Sequence, residues 1–167
     1  MATRTSKTKS TKAPKSTKNK KRRRVKKRRY HTGIHVSPKC DEPIKYRSGW
    51  ELVICKYLDE SPDVVCYMYE KIIVPYTTSP RSKKLRKYIP DFVIIYKNGD
   101  TKMVEVKREN MLTCEKVQRK AEAAKIWCAQ QTPPILYEFW TDSMVLPLQK
   151  AQKIRDRYAK LEKEGKI

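Results

Sequence analysis

The stretch from Tyr88 to Lys107 places Asp91, Glu105 and Lys107 inside otherwise apolar, β-branched segments, and few folds accommodate that mixture. Tyr88-Ile89-Pro90-Asp91-Phe92-Val93-Ile94-Ile95-Tyr96 and Thr101-Lys102-Met103-Val104-Glu105-Val106-Lys107 read as strands, because β-branched and aromatic side chains pack well on a pleated surface. Between them Lys97-Asn98-Gly99-Asp100 supplies Asn-Gly, the strongest short hairpin signal. A two-residue turn on Asn98-Gly99 would put Asp91 and Glu105 on opposite faces. A three-residue loop, with Gly99 in the left-handed position of a bulge, sets Asp91 opposite Glu105 with Lys107 on the same face. It also pairs Phe92 with Val104 and Val93 with Met103, so the apolar pattern favours it.

Like charges directly opposite on a sheet repel. A divalent cation is the simplest partner that would hold them, since Mg²⁺ or Mn²⁺ takes one or two carboxylates with waters and phosphate oxygens. Asp91 and Glu105 are therefore candidate metal ligands. Lys107 beside them would position water or stabilise charge during phosphodiester cleavage. The competing reading is a solvated, ion-paired strand edge. It is disfavoured because charges at corresponding ends of strands rich in Val, Ile and Phe are costly to bury unpaired.

The charge of the chain is unevenly spread. Residues 1–40 hold 16 Lys or Arg and no acid, out of 40 basic and 18 acidic residues in the 167-residue chain. Residues 1–43 are expected to be a basic tail and linker, disordered when free, and residues 44–167 one folded domain. The natural partner of such a tail is a polyanion, bound through counterion release. The run around Arg22, Arg23 and Arg24 would serve equally as a DNA arm or as a nuclear import signal. His31 and His35 are spaced as zinc ligands on a helix would be, but Gly33 between them favours linker. No apolar run is long enough to cross a membrane, and five cysteines without a CxxC pair read as reduced thiols in an intracellular setting.

From Ile44 the pattern becomes that of a folded domain. Ser48 is a good N-cap, and Trp50, Val53, Ile54, Tyr57 and Leu58 recur at helical spacing up to Ser61-Pro62. Ser48-x-x-Glu51 is a capping box, which accounts for Glu51 structurally. A third metal-binding carboxylate is the other role open to it. Val64–Glu70 and Lys71–Tyr76 lead into the first strand, with Glu70 either a further site carboxylate or an exposed strand start. Thr77–Lys87 reads as a loop whose Lys83, Lys84, Arg86 and Lys87 would hold backbone phosphates at the mouth of the site. After Lys107 and Arg108, a further basic candidate for DNA contact, Thr113 is the expected N-cap of a helix through about Gln130. Gln118 and Lys120 project from its early turns. Ile135–Trp140 is a strand, and a basic helix from about Leu146 to Glu164 should pack through Ile154, Tyr158 and Leu161.

Pro90-Asp91, a hairpin-length gap and Glu105-Val106-Lys107 together resemble the PD-(D/E)XK nuclease superfamily. The element order read independently, helix, three strands, helix, strand, helix, matches its restriction-endonuclease-like α/β core, a mixed sheet flanked by helices. The resemblance implies Mg²⁺- or Mn²⁺-dependent DNA hydrolysis, with Asp91, Glu105 and a first-helix Glu51 on the metal, Lys107 catalytic, and polar residues such as Gln118 and Lys120 close by. Tyr46-Arg47-Ser48-x-Trp50-Glu51, Tyr57-Leu58-Asp59, Ile73-Val74-Pro75-Tyr76 and Tyr88-Ile89-Pro90-Asp91-Phe92 look, in that order, like the head completion nucleases of T-even-like tailed phages. This resemblance implies action on packaged DNA ends at the portal before tail joining, with portal or head–tail connector proteins as partners and a virion or host-cytoplasmic location. TnsA-like transposition endonucleases are also similar around Glu51. The alternatives are therefore a transposition or repair endonuclease, or a non-enzymatic DNA-binding protein of the connector. A homodimer would place two sites for a double-strand cut.

Overall fold

The computed structural model describes residues 31–79, 81 and 84–166. The basic run of residues 1–30, with Arg22, Arg23 and Arg24, lies outside the described residues, as does Lys83. In chain order the elements are Gly33–His35 (β1), Ile44–Tyr46 (β2), Gly49–Glu60 (α1), Val64–Tyr69 (β3), Val74–Thr77 (β4), Leu85–Tyr88 (β5), Phe92–Tyr96 (β6), Thr101–Val106 (β7), Glu115–Ala129 (α2), Leu136–Trp140 (β8) and Asp142–Lys163 (α3).

Strands β3, β6, β7 and β8 form one mixed sheet in that order, antiparallel except for the parallel β7–β8 pair. Its layering follows from side-chain alternation. Phe92, Ile94 and Val104 join Ile54, Leu58, Tyr67, Trp140 and Val145 in one core against α1 and the start of α3. Val93, Met103 and Tyr137 join Val74, Tyr76, Tyr88, Ala121, Ala124 and Cys128 in a second core under α2. The small residues Ala121 and Ala124 let α2 lie close to the sheet. This is the expected α/β core with a mixed sheet flanked by helices.

The three-residue loop is present. Phe92 pairs with Val104 and Val93 with Met103, and the Tyr96 N–H donates to Asp100 O at 2.9 Å. Gly99 takes φ 88°, the left-handed conformation in which glycine carries no Cβ penalty. Asp91 and Glu105 continue that register on the α2 side of the sheet.

Four expectations are corrected. Residues 33–43 are not a linker: β1 pairs with β2, and Ser37 Oγ donates to Asp59 Oδ1 at 2.5 Å. His35 Nε2 lies 2.7 Å from Asp59 Oδ2, so this histidine fastens the chain to α1. Five strands, not three, separate α1 from α2, because Thr77–Lys87 is no simple loop. Its ends form the antiparallel β4–β5 hairpin, which carries Arg86 and Lys87, and the chain breaks at Ile89-Pro90 before β6 starts. Helix α2 begins one residue later than expected, with Cys114 rather than Thr113 at its N-cap. Helix α3 starts at Asp142, with Pro147 inside it. It is held through Val145 and the Lys56–Asp156 and Arg155–Glu60 ion pairs, and Ile154 and Tyr158 stay exposed.

Candidate active site

The site forms where the β6–β7 ladder ends. The last ladder pair is Phe92–Val104, so the Val106 N–H has no strand partner and Asp91 supplies one, its Oδ2 accepting at 2.7 Å. Glu105 is 4% exposed, an expensive location for a carboxylate unless both oxygens are satisfied. They are: Tyr88 Oη donates to Oε2 at 2.9 Å, and Lys107 Nζ lies 2.9 Å from Oε1. Lys107 sits two residues beyond Glu105 on the same face of the strand, as the period of two requires. Asp91, Glu105 and Lys107 are thus brought together.

Their electrostatics follow from burial and crowding. Burial, then the charge of Glu105, raises Asp91 to about 7, against the smaller opposing effects of the Val106 N–H and Lys107. Burial alone would lower Lys107, but Glu105, Asp91 and Glu51 more than offset it and leave its pKa above the ordinary lysine value. The ammonium therefore stays charged at neutral pH and acts as a fixed cation rather than as a base.

Glu51 approaches from the opposite side of the sheet, where α1 packs. Its carboxylate closes the capping box: Ser48 Oγ donates to Oε1 at 2.8 Å, and the Arg47 N–H donates to Oε2 at 2.6 Å. Tyr69 Oη donates to the same Oε2 at 2.7 Å. Glu51 still contributes to the raised pKa of Asp91, so its charge reaches the site while its oxygens are occupied at the cap. Among the described residues no three His, Cys, Asp or Glu side chains converge on a point that would hold a metal ion. Asp91 and Glu105 remain a pair, and that pair fits Mg²⁺ or Mn²⁺, which binds proteins through one or two carboxylates and keeps its waters. A divalent cation would relieve the repulsion that raises Asp91.

The remaining candidates separate cleanly. Lys120 reaches the site: its Nζ lies 4.7 Å from the centroid of the Tyr88 ring, and burial lowers its pKa against the attraction of Glu105. Gln118 does not, because its amide donates to Leu112 O in the turn before α2. Arg108 is exposed, with its guanidinium 5.7 Å from the centroid of Trp50. Lys84, Arg86 and Lys87 are exposed at the start and along the length of β5. Glu70 is half-buried rather than an exposed strand start: its N–H donates to Asp91 O at 3.0 Å, its carboxylate pairs with Arg47, and it takes φ 49°, uncommon for a residue with a Cβ.

Tyr88 and Tyr137 were not singled out as site residues by the sequence. Tyr88 Oη lies 3.2 Å from Tyr137 Oη as well as donating to Glu105. A tyrosine three residues before Asp91, at the end of the basic stretch Lys84–Lys87, was the available signal.

The sheet order, the flanking helices and the Asp91, Glu105, Lys107 group resemble the arrangement of a nuclease-like domain of the PD-(D/E)XK class. Residues 61–134, which contain all three, match the family model of the TnsA-like endonuclease N-terminal domain. The chain is also similar to the head completion nuclease of Enterobacteria phage T4, with 31% identity over 64 residues. That alignment covers 38% of this chain and 42% of the phage protein, so it spans less than half of either.

Proposed function

We propose that the chain is a metal-dependent DNA endonuclease that hydrolyses phosphodiester bonds at Asp91, Glu105 and Lys107. The observation that carries this reading is a carboxylate pair, Glu105 buried and Asp91 half-buried with its pKa raised to about 7, beside a lysine held cationic. Asp91 and Glu105 would hold Mg²⁺ or Mn²⁺, which when bound lowers the pKa of a water and polarises the phosphodiester. Tyr88 fixes the orientation of Glu105 through Oε2. Lys107, charged through the neutral range, stabilises the negative charge that develops on the phosphoryl oxygens. Lys120, Arg108 and the basic side chains of β5 hold flanking phosphates without reading bases.

Glu51 is assigned to the rim. Glu51→Gln keeps a cap acceptor and is expected to leave thermal stability nearly unchanged while lowering cleavage about 10–100-fold, as for residues that support a metal site from outside. Glu51→Ala should in addition cost about 1 kcal/mol as the cap is lost. A complete loss of cleavage in Glu51→Gln, with the fold intact, would place Glu51 on the metal instead.

The likeness to a phage head completion nuclease supports a role on DNA ends during head completion, in the virion or host cytoplasm, with portal or connector proteins as partners. The TnsA-like match supports the second reading, a transposition or repair endonuclease. Cleavage of linear, circular and branched DNA with Mg²⁺ or Mn²⁺ tests the proposal. Dependence on free ends favours the first role, cutting at branches favours the second, and no cleavage of any of them overturns the endonuclease.

The basic N-terminal segment is proposed to add sequence-independent affinity. Because β1 begins at Gly33, a deletion should remove residues 1–30 only. Loss of about five phosphate contacts should flatten the slope of log K against log salt by about 4.5 and weaken binding at low salt. A salt titration of both proteins checks this, and equal slopes would rule the segment out as a DNA arm.

A further inference from the structure

The β4–β5 hairpin leaves the sheet at Glu70 and returns at Asp91, and these two roots are hydrogen-bonded to each other. Its inner face is anchored: Val74, Tyr76 and Tyr88 are buried in the core under α2. Tyr88 also ties the hairpin to Glu105 through a 2.9 Å hydrogen bond. The hairpin is thus fixed in position relative to the carboxylate pair.

Among the described residues its outer side is exposed. Leu85 is 66% exposed, and Ile73 and Ile89, each one residue beyond the paired ends, are 50% and 43% exposed. Exposed aliphatics on a strand pair invite association, and natural edges blunt this with charge. Here the charge has one sign. No Asp or Glu occurs between Glu70 and Asp91, whereas Arg81, Lys83, Lys84, Arg86 and Lys87 crowd the second half of the segment. Cations interleaved with aliphatics match a polyanion that also offers apolar surface, and DNA does so where a base step is opened.

We propose that the β4–β5 hairpin is a DNA arm that grips phosphates through Lys84, Arg86 and Lys87 and seats Leu85 and Ile89 against an unstacked base step. The inference rests on the endonuclease reading and names its substrate class: forked, branched or frayed DNA in preference to continuous duplex. Unstacking costs least where pairing is already interrupted, which generates the preference without base-specific contacts. Because Tyr88 fixes the arm to Glu105, cuts should fall at a constant offset from the branch point.

The test uses the full-length chain carrying Asp91→Asn, with 2-aminopurine placed at the branch of a forked duplex. The parent is expected to bind the fork about tenfold more tightly than a blunt duplex of equal length, with a rise in 2-aminopurine fluorescence. Adding Leu85→Ser and Ile89→Ser should bring the affinity ratio close to one and suppress the fluorescence rise. Lys84→Ala with Lys87→Ala should weaken binding to both DNAs. Equal affinities for the parent, or a fluorescence rise untouched by the serine changes, would overturn the proposal. So would self-association of the parent that the serine changes abolish without a fork preference, which would assign the face to a second copy of the chain. Failure of the unmodified chain to cut any DNA removes the endonuclease reading, while the binding and fluorescence results still decide the arm.

Discussion

Asp91→Asn is expected to abolish DNA cleavage and, at the same time, to raise the melting temperature of the metal-free protein. Burial and the neighbouring Glu105 charge raise the Asp91 pKa to about 7, so the folded protein binds this proton more tightly than the unfolded chain does. The protonated carboxyl therefore contributes stability that is complete below about pH 4 and is lost as the pH rises through about 7. The gap corresponds to roughly 4 kcal/mol at the outside. Asparagine removes the charge and keeps an oxygen to accept from the Val106 N–H, so its benefit is confined to the upper part of that window. At pH 8 the expected gain is about 2 kcal/mol, or roughly 6–10 °C, and it should vanish near pH 4. Added Mg²⁺ should stabilise the wild type and leave the variant unmoved, whereas cleavage should fall on the order of 10³-fold or more. Thermal melts across pH with and without Mg²⁺, beside the cleavage assay, decide the matter. A wild-type stability indifferent to both pH and Mg²⁺ would remove the carboxylate pair as the metal site.

Such a trade between stability and chemistry explains which parts of the chain were legible. The β6–β7 hairpin was readable because Asn98-Gly99 and the alternation of Phe92, Val93, Met103 and Val104 each fix the same register. Helix α1 was readable because Ser48 and Glu51 mark its start and one apolar stripe faces the sheet. The β4–β5 hairpin was hidden, since Leu85, Arg86 and Lys87 are all exposed. An amphipathic pattern exists only where one face is buried along its length. Pro147 concealed the true start of α3. The exposure of Ile154 and Tyr158 shows that helical spacing identifies a shared face without saying that anything covers it. Within the site, spacing within and across the strands brought Asp91, Glu105 and Lys107 together. The contributions of Tyr88, Tyr69 and Tyr137 depend on contacts between elements far apart in sequence. The same is true of Glu51, whose two roles are chemically compatible in sequence and separate only when its oxygens are seen engaged at the cap.

Lys107→Met should lower stability where Asp91→Asn raises it, although both abolish activity. Removing the ammonium leaves Oε1 of the buried Glu105 without its charged partner, and breaking a pair on one side costs more than the pair was worth. The lysine side chain is 31% exposed, which admits water and screens the loss, so the expected cost at pH 8 is about 2 kcal/mol. Mg²⁺ should restore stability by taking the place of the lost charge. It should not restore cleavage, which is expected to fall about 10²–10³-fold because Lys107 acts on the transition-state charge. Combining the two changes removes one negative and one positive charge from the same cluster around Glu105. Simple addition of the two effects would return the double variant to about the wild-type temperature at pH 8; because the attraction between Asp91 and Lys107 is lost only once, it should instead melt above the wild type by a coupling energy of about 1 kcal/mol. Additive melts in the double variant would show that Asp91 and Lys107 do not share one electrostatic site.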